Sequence, residues 1–192
     1  MVEIPMEPLK KLELIDTLQR LGLSYHFQNE TKRILEGIWS DEGEFSWKKD
    51  NLYATALEFR LLRQHGYKAT QEAFSSFQDK MGNFSANLCE DYNLCAYLSV
   101  EGEGILDTAR EFAAEQLEQH LQQNKLDEHQ RMAVEHALEL PLHWRMSRLE
   151  TRWFIDLYEK REGRNPMLLE LAKLDFNIVQ AVHQDDLRYA SK

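Results

Sequence analysis

His183-Gln184-Asp185-Asp186-Leu187-Arg188-Tyr189 is the densest run of chemically competent side chains in this sequence of 192 residues. Carboxylates one turn apart on a helix hold Mg²⁺, which in turn grips a diphosphate. A complete site of that kind reads Asp-Asp-x-x-Asp, with the first and last acids facing the same way, whereas here the fifth position is Tyr189. An acid poised to protonate an alkene needs Asp-x-Asp-Asp, and His183 holds the first of those places. Asp185 and Asp186 therefore read as a solvated helix face rather than a metal site.

The other candidates are weaker. Of the seven histidines, His129, His136 and His143 lie seven apart near one helical stripe, but Pro141 interrupts the register. Zinc helices place histidines at i and i+4, and no His-Glu-x-x-His occurs. Cys89 and Cys95 are the two cysteines, too few for a structural zinc and expected to act as small packing residues. Neither a Gly-x-Ser-x-Gly elbow nor a Walker-type loop is present. Glu101-Gly102-Glu103-Gly104 carries the wrong sign to cradle phosphate. Trp39, Trp47, Trp144 and Trp153, with Tyr158, present π faces suited to a carbocation, yet at helical spacing they read as core. No catalytic, cofactor-binding or metal-binding residue is assigned on chemistry alone.

Composition narrows the class. Lys and Arg total 23 against 33 Asp and Glu, a formal charge of -10, which argues against a nucleic-acid binder. Gly at 8 and Pro at 4 are too sparse for a turn-rich all-β fold, and no apolar run approaches the ~20 residues of a membrane span. Met1 to Lys10 reads neither as a signal peptide nor, being acidic, as a transit peptide.

Helical periodicity runs throughout. Leu9, Leu12, Ile15 and Leu18 mark a first helix stopping near Gly22, and Phe27, Ile34, Leu35 and Ile38 a second, closed by the loop Ser40 to Ser46. Asp50 is the expected N-cap of a third, which carries Leu52, Ala56, Phe59 and Leu62 inward and ends at Gly66. Thr70 is expected to cap a short segment with Phe74 and Phe77. Gly82 to Gly104 is the least readable stretch. Ile105, Ala109, Phe112, Ala113 and Leu117 follow, and Leu126-Asp127 with Gln130 reads as a capping box. Beyond the break at Pro141, Leu149, Trp153, Phe154 and Leu157 define another helix. Asn165-Pro166 opens a last one, with Leu168, Leu171, Leu174, Ile178 and Val182 expected on its buried side. About eight helices make an all-α chain.

Several long strings resemble the N-terminal domain of plant terpene synthases. They are Leu12-Glu13-Leu14-Ile15-Asp16-Thr17-Leu18-Gln19-Arg20-Leu21-Gly22 with Ser24-Tyr25-His26-Phe27, and the run from Asp50 to Tyr67. Similar too are Leu138-Glu139-Leu140-Pro141-Leu142-His143-Trp144-Arg145-Met146, Arg148 to Trp153, and Leu169 to Gln180. The resemblance implies an α/α-barrel-like helical domain over residues 1–165, a relict of a cyclase that has lost its acid motif, with 166–192 as the first helix of a class I catalytic domain. It further implies a parent that converts prenyl diphosphates to mono- or sesquiterpenes with Mg²⁺ or Mn²⁺, through metal motifs absent from this sequence. Asp185 and Asp186 fall where that family has no metal site. This segment alone is accordingly expected to be inactive, a structural support whose partner is the catalytic domain. The alternative is a stand-alone helical module that associates with a terpene synthase chain. The expected location is the plastid, as a mature form, or the cytoplasm, and not the secreted space. Two departures stand out. The Arg-Arg segment that caps the closed site in the family has no counterpart before Leu9, and Asp91 to Asp107 is shorter than usual by more than a helical turn. Each Leu-sized burial lost there is expected to cost about 2–5 kcal/mol.

Overall fold

The computed structural model describes residues 6–40, 48, 51–84, 102–123, 126–140 and 142–191, the side chain of residue 143 excepted. Within them lie the helices α1 (Pro8–Arg20), α2 (Gln28–Ser40), α3 (Leu52–Gln64), α4 (Gly104–Gln122), α5 (Glu128–Glu139), α6 (Ser147–Lys160) and α7 (Pro166–Ala190). Tight 3₁₀ turns at Ser24–His26, Gln71–Phe77 and Leu142–Trp144 connect them. Among the described residues the β structure is a single isolated bridge, Gln78 to Phe84. The all-helical expectation holds.

Local chemistry explains most of the boundaries. Pro8 occupies the first turn of α1, where its missing N–H has no intrahelical use. At α5 the Asp127 side chain accepts from the Gln130 N–H at 2.7 Å while Gln130 reaches back to the Asp127 N–H at 3.1 Å, the reciprocal box read from the sequence. Asn165 Oδ1 accepts from both Met167 and Leu168 at the start of α7. Two caps differ from expectation. Asn51, not Asp50, caps α3, accepting from the Ala54 N–H at 2.9 Å, because the extended backbone that a cap requires falls at Asn51; Asp50 lies outside the described residues. Thr70 sits at the start of its segment without a side-chain cap bond, and that segment is a 3₁₀ turn rather than an α-helix.

Three apolar clusters form the core, and α1 touches two of them. Leu12 and Ile15 pack with Leu35 of α2 and with Leu57, Leu61 and Leu62 of α3. Leu18, Leu21 and Leu23 pack instead with Phe154, Ile155, Leu157 and Tyr158 of α6 and with Leu169 and Ala172 of α7. The third cluster joins Leu52, Ala56 and Phe59 of α3 to Phe74, Phe77, Phe84 and the Leu106–Ala109 turn of α4. The shortened Asp91 to Asp107 stretch falls mostly outside the described residues, so the packing loss expected there has no structural counterpart to set beside it.

Gly22 makes the passage between the first two clusters possible. Its φ of +75° is the left-handed region, and a Cβ added there would stand 3.0 Å from both Thr151 Cγ2 and Oγ1 and 3.6 Å from Arg148 Nη1. The bare backbone lets the end of α1 press against the first turn and a half of α6. Gly66 has a comparable φ of +86° but meets nothing within 4 Å. Gly66→Ala is thus expected to cost about 1–2 kcal/mol of stability for the backbone alone. Gly22→Ala adds roughly 1–3 kcal/mol for the collision. Urea denaturation of the two variants side by side measures the difference.

Candidate functional site

Buried carboxylates organise much of the polar chemistry of the described residues. A carboxylate removed from water must be paired and hydrogen-bonded. Glu150 on α6 is 6% exposed and receives Arg20 Nη2 from α1 at 3.2 Å and His136 Nε2 from α5 at 2.7 Å. Arg145 Nε, from the connection after the Leu142–Trp144 turn, lies 3.8 Å away. The His136 ring stacks on Trp153 with centroids 3.4 Å apart and 9° between planes, and the Arg20 guanidinium lies 4.1 Å over the Phe154 ring. Glu150 therefore holds three elements against α6.

Asp175 on α7 is 7% exposed and does the same for the last helix. Its Oδ1 accepts from the Tyr25 hydroxyl and from His26 Nε2 at 3.0 Å, both carried by the Ser24–His26 turn. Its Oδ2 faces Arg148 Nη1 of α6 at 4.0 Å, an ion pair beyond hydrogen-bond reach. The bond to Asp175 is the main cause that holds the Tyr25 phenol above its ordinary value, with burial and the negative charge of Asp175 adding to it and Arg148 opposing. On the other side of α1, Arg60 pairs with Asp16, Lys48 Nζ sits 2.6 Å from Glu58, and Arg63 clasps Glu103.

The sequence-derived candidates scatter. Asp185 and Asp186 are both exposed, and Asp185 is tied to Arg188 at 3.1 Å across one turn, the solvated face that the sequence indicated. His183 is exposed on the same segment. His136 serves Glu150, His129 is half-buried on α5, and the side chain of His143 lies outside the described residues. Trp39 packs on Tyr67 at 5.5 Å, Trp153 stacks on His136, Trp144 is exposed, and Trp47 lies outside the described residues, as do Cys89 and Cys95. Tyr158 is buried and accepts the Asn165 N–H at 3.0 Å. Among the described residues no group of three His, Cys, Asp or Glu side chains is gathered to hold a metal ion.

The helix expected from Leu149, Trp153, Phe154 and Leu157 is α6, in which Leu149 is exposed and Glu150, one residue on, takes the inward place. One expectation is corrected: of Leu168, Leu171, Leu174, Ile178 and Val182, expected on the buried side of α7, Leu168 packs half-buried on the core, but the other four are 38%, 60%, 66% and 54% exposed. The body instead buries Leu169, Ala172 and Asp175, a face about 100° away. The sequence signal for Glu150 and Asp175 was an acid in phase with apolar positions: Glu150 with Phe154 and Leu157, Asp175 with Leu169 and Ala172.

A sequence profile described as "Terpene synthase, N-terminal domain" matches residues 1–138. The chain belongs to the terpene synthase N-terminal domain family. Among its relatives is a (-)-alpha-terpineol synthase of Vitis vinifera, 59% identical over 192 residues, with 96% of this chain and 32% of that protein covered. A myrcene synthase of Quercus ilex, named chloroplastic, is 55% identical, covering 97% of this chain and 32% of that protein. The fold superimposes on isoprene synthase from grey poplar leaves, Populus x canescens, with a TM-score of 0.91 at 49% identity, covering 97% of this chain and 36% of that one. That structure was determined with three Mg²⁺ ions and dimethylallyl-S-thiolodiphosphate. A limonene synthase holding 2-fluorolinalyl diphosphate gives a TM-score of 0.87 at 42% identity, covering 96% and 36%. This chain thus spans about a third of the relatives it matches and has the α-helical fold of terpenoid cyclases. No helix among the described residues is long and apolar enough to cross a membrane.

Removing the Glu150 carboxylate leaves Arg20, His136 and Arg145 facing an uncompensated site, so Glu150→Ala is expected to lose about 3–5 kcal/mol. Asp185→Asn, on the solvated face, is expected to change stability by less than about 0.5 kcal/mol. Denaturant midpoints of both variants check the contrast. The raised Tyr25 phenol supplies stability that is fully present below the unfolded tyrosine value of about 10 and is lost as pH rises through the higher folded value. Tyr25→Phe should accordingly lose less stability than the parent chain between pH 9 and pH 11, on the order of that tyrosine range, in melts followed by circular dichroism.

Proposed function

We propose that this chain is the non-catalytic N-terminal part of a terpene synthase, acting as a scaffold for the class I catalytic domain that follows it in the relatives. The observation that carries this reading is the exposed stripe Leu171, Leu174, Ile178 and Val182 on α7. These positions recur at helical spacing along one side of the helix, next to the side already buried by the body. Contiguous apolar surface of that kind on a water-facing helix marks a contact with another protein surface. Residues 1–165 then form the supporting helical domain and 166–192 the first helix of the catalytic domain, half seated in the body and half offered to its partner. In the whole protein the reaction would take a prenyl diphosphate to a mono- or sesquiterpene and diphosphate, with Mg²⁺ or Mn²⁺ held by residues beyond this chain. The plastid is the proposed location, in keeping with relatives named chloroplastic.

Incubation of the purified chain with geranyl or farnesyl diphosphate and Mg²⁺ or Mn²⁺ is expected to release no diphosphate. Metal-dependent release would overturn the scaffold reading and direct mutation first to Asp185 and Asp186. Light scattering over a concentration series addresses the other occupant of the stripe: growth of a dimer abolished by Ile178→Glu would favour association between separate chains over the scaffold role.

A further inference from the structure

Asp175 is the last buried residue of α7, and the half-buried Phe176 is the last that packs on the core. Residues 177–191 are exposed or half-exposed, so about 22 Å of helix extends past the grip of the body at 1.5 Å per residue. Before that point α7 is held at its N-cap by the Asn165 N–H donated to the Tyr158 hydroxyl at 3.0 Å, by the apolar contacts of Leu169 and Ala172, which are non-directional and tolerate rocking, and by the ion pair Lys173–Glu159 at 2.6 Å. The last directional restraint before the free half of the helix, and the one made on a buried group of α7, comes from Asp175: the Tyr25 hydroxyl and His26 Nε2, side chains about half exposed, converge on Oδ1 from the Ser24–His26 turn, and Arg148 faces Oδ2 from α6. These partners stand where they do because Gly22 lets the preceding backbone lie against Thr151 and Arg148.

We propose that the Tyr25–His26–Asp175–Arg148 junction is a latch that sets the angle at which α7 leaves the helical body, with Tyr25 and His26 as its positioning residues. Resting on the reading of α7 as the first catalytic-domain helix, the latch would place the following domain relative to the scaffold. Its mechanics are a property of this chain alone. A small tilt about Ala172 is amplified along the free half of the helix, so two hydrogen bonds at the fulcrum govern the position of the tip. The double variant Tyr25→Phe, His26→Ala removes both donors while leaving Asp175 opposite Arg148.

The test is the distance distribution between nitroxide labels at Glu36 on α2 and Asp186 on α7, both exposed, after Cys89 and Cys95 are replaced by serine. The double variant is expected to broaden that distribution by about twofold, the tilt being magnified over roughly 22 Å of helix, while helical content stays at the parent value. An unchanged width would overturn the latch. A role confined to stability would lower the melting midpoint and leave the width at low temperature untouched, which also overturns it. Asp175→Asn is the second probe should the double variant melt early: it keeps the acceptor for Tyr25 but removes the charge that faces Arg148, and an intermediate width is expected. Failure of the latch leaves the scaffold reading standing, since that reading rests on diphosphate release and on the α7 stripe; failure of the scaffold reading leaves the distance measurement unaffected.

Discussion

A carboxylate that leaves water must find cations and donors within a few ångströms, and in this chain that demand decides which helices meet. Glu150 draws α1, α5 and the Leu142–Trp144 connection onto α6 through Arg20, His136 and Arg145. Asp175 draws the Ser24–His26 turn and α6 onto α7. Apolar burial supplies most of the stabilisation, but Leu and Ile surfaces accept many relative orientations. The buried acids do not, because a hydrogen bond fails outside a narrow range of distance and angle.

Helix α1 mediates between these polar anchors and the apolar clusters. One end lies among α2 and α3 through Leu12 and Ile15, the other among α6 and α7 through Leu18, with Leu21 and Leu23 continuing past its end. Asp16–Arg60 pins the first end and Arg20–Glu150 the second. Gly22 follows the end of the helix, and its left-handed backbone turns the chain into the 3₁₀ turn that presents Tyr25 and His26.

The last helix is seated in the core over its first turns and bare beyond them. Its first turns are integral to the body, with Leu169 and Ala172 in a core cluster, while farther along Leu174, Ile178 and Val182 remain in water. A 25-residue helix with two apolar faces, one buried and one bare, is suited to joining two bodies. That arrangement agrees with a chain that covers a third of its relatives' length and reproduces their fold.

Helix class, most boundaries and several caps were legible in the residues themselves, because periodicity, capping boxes and proline act within one or two turns. The Asp127–Gln130 box and the Asn165–Pro166 start needed no tertiary context. The solvated character of Asp185 and Asp186 was legible too, since the pattern lacked its third acid. The strings around Tyr25, Glu150 and Asp175 carried the family resemblance, but not what those side chains do, because all of their partners except Arg145 lie 14 to 150 positions away in sequence. The orientation of α7 was decided by tertiary structure alone. Its sequence offers two adjacent apolar faces, and periodicity alone favours the richer one, Leu171 to Val182, as the buried side. The body instead selects the face with Asp175, because Tyr25, His26 and Arg148 are in place to receive that carboxylate, and no local rule along the chain could reveal donors brought together only by folding.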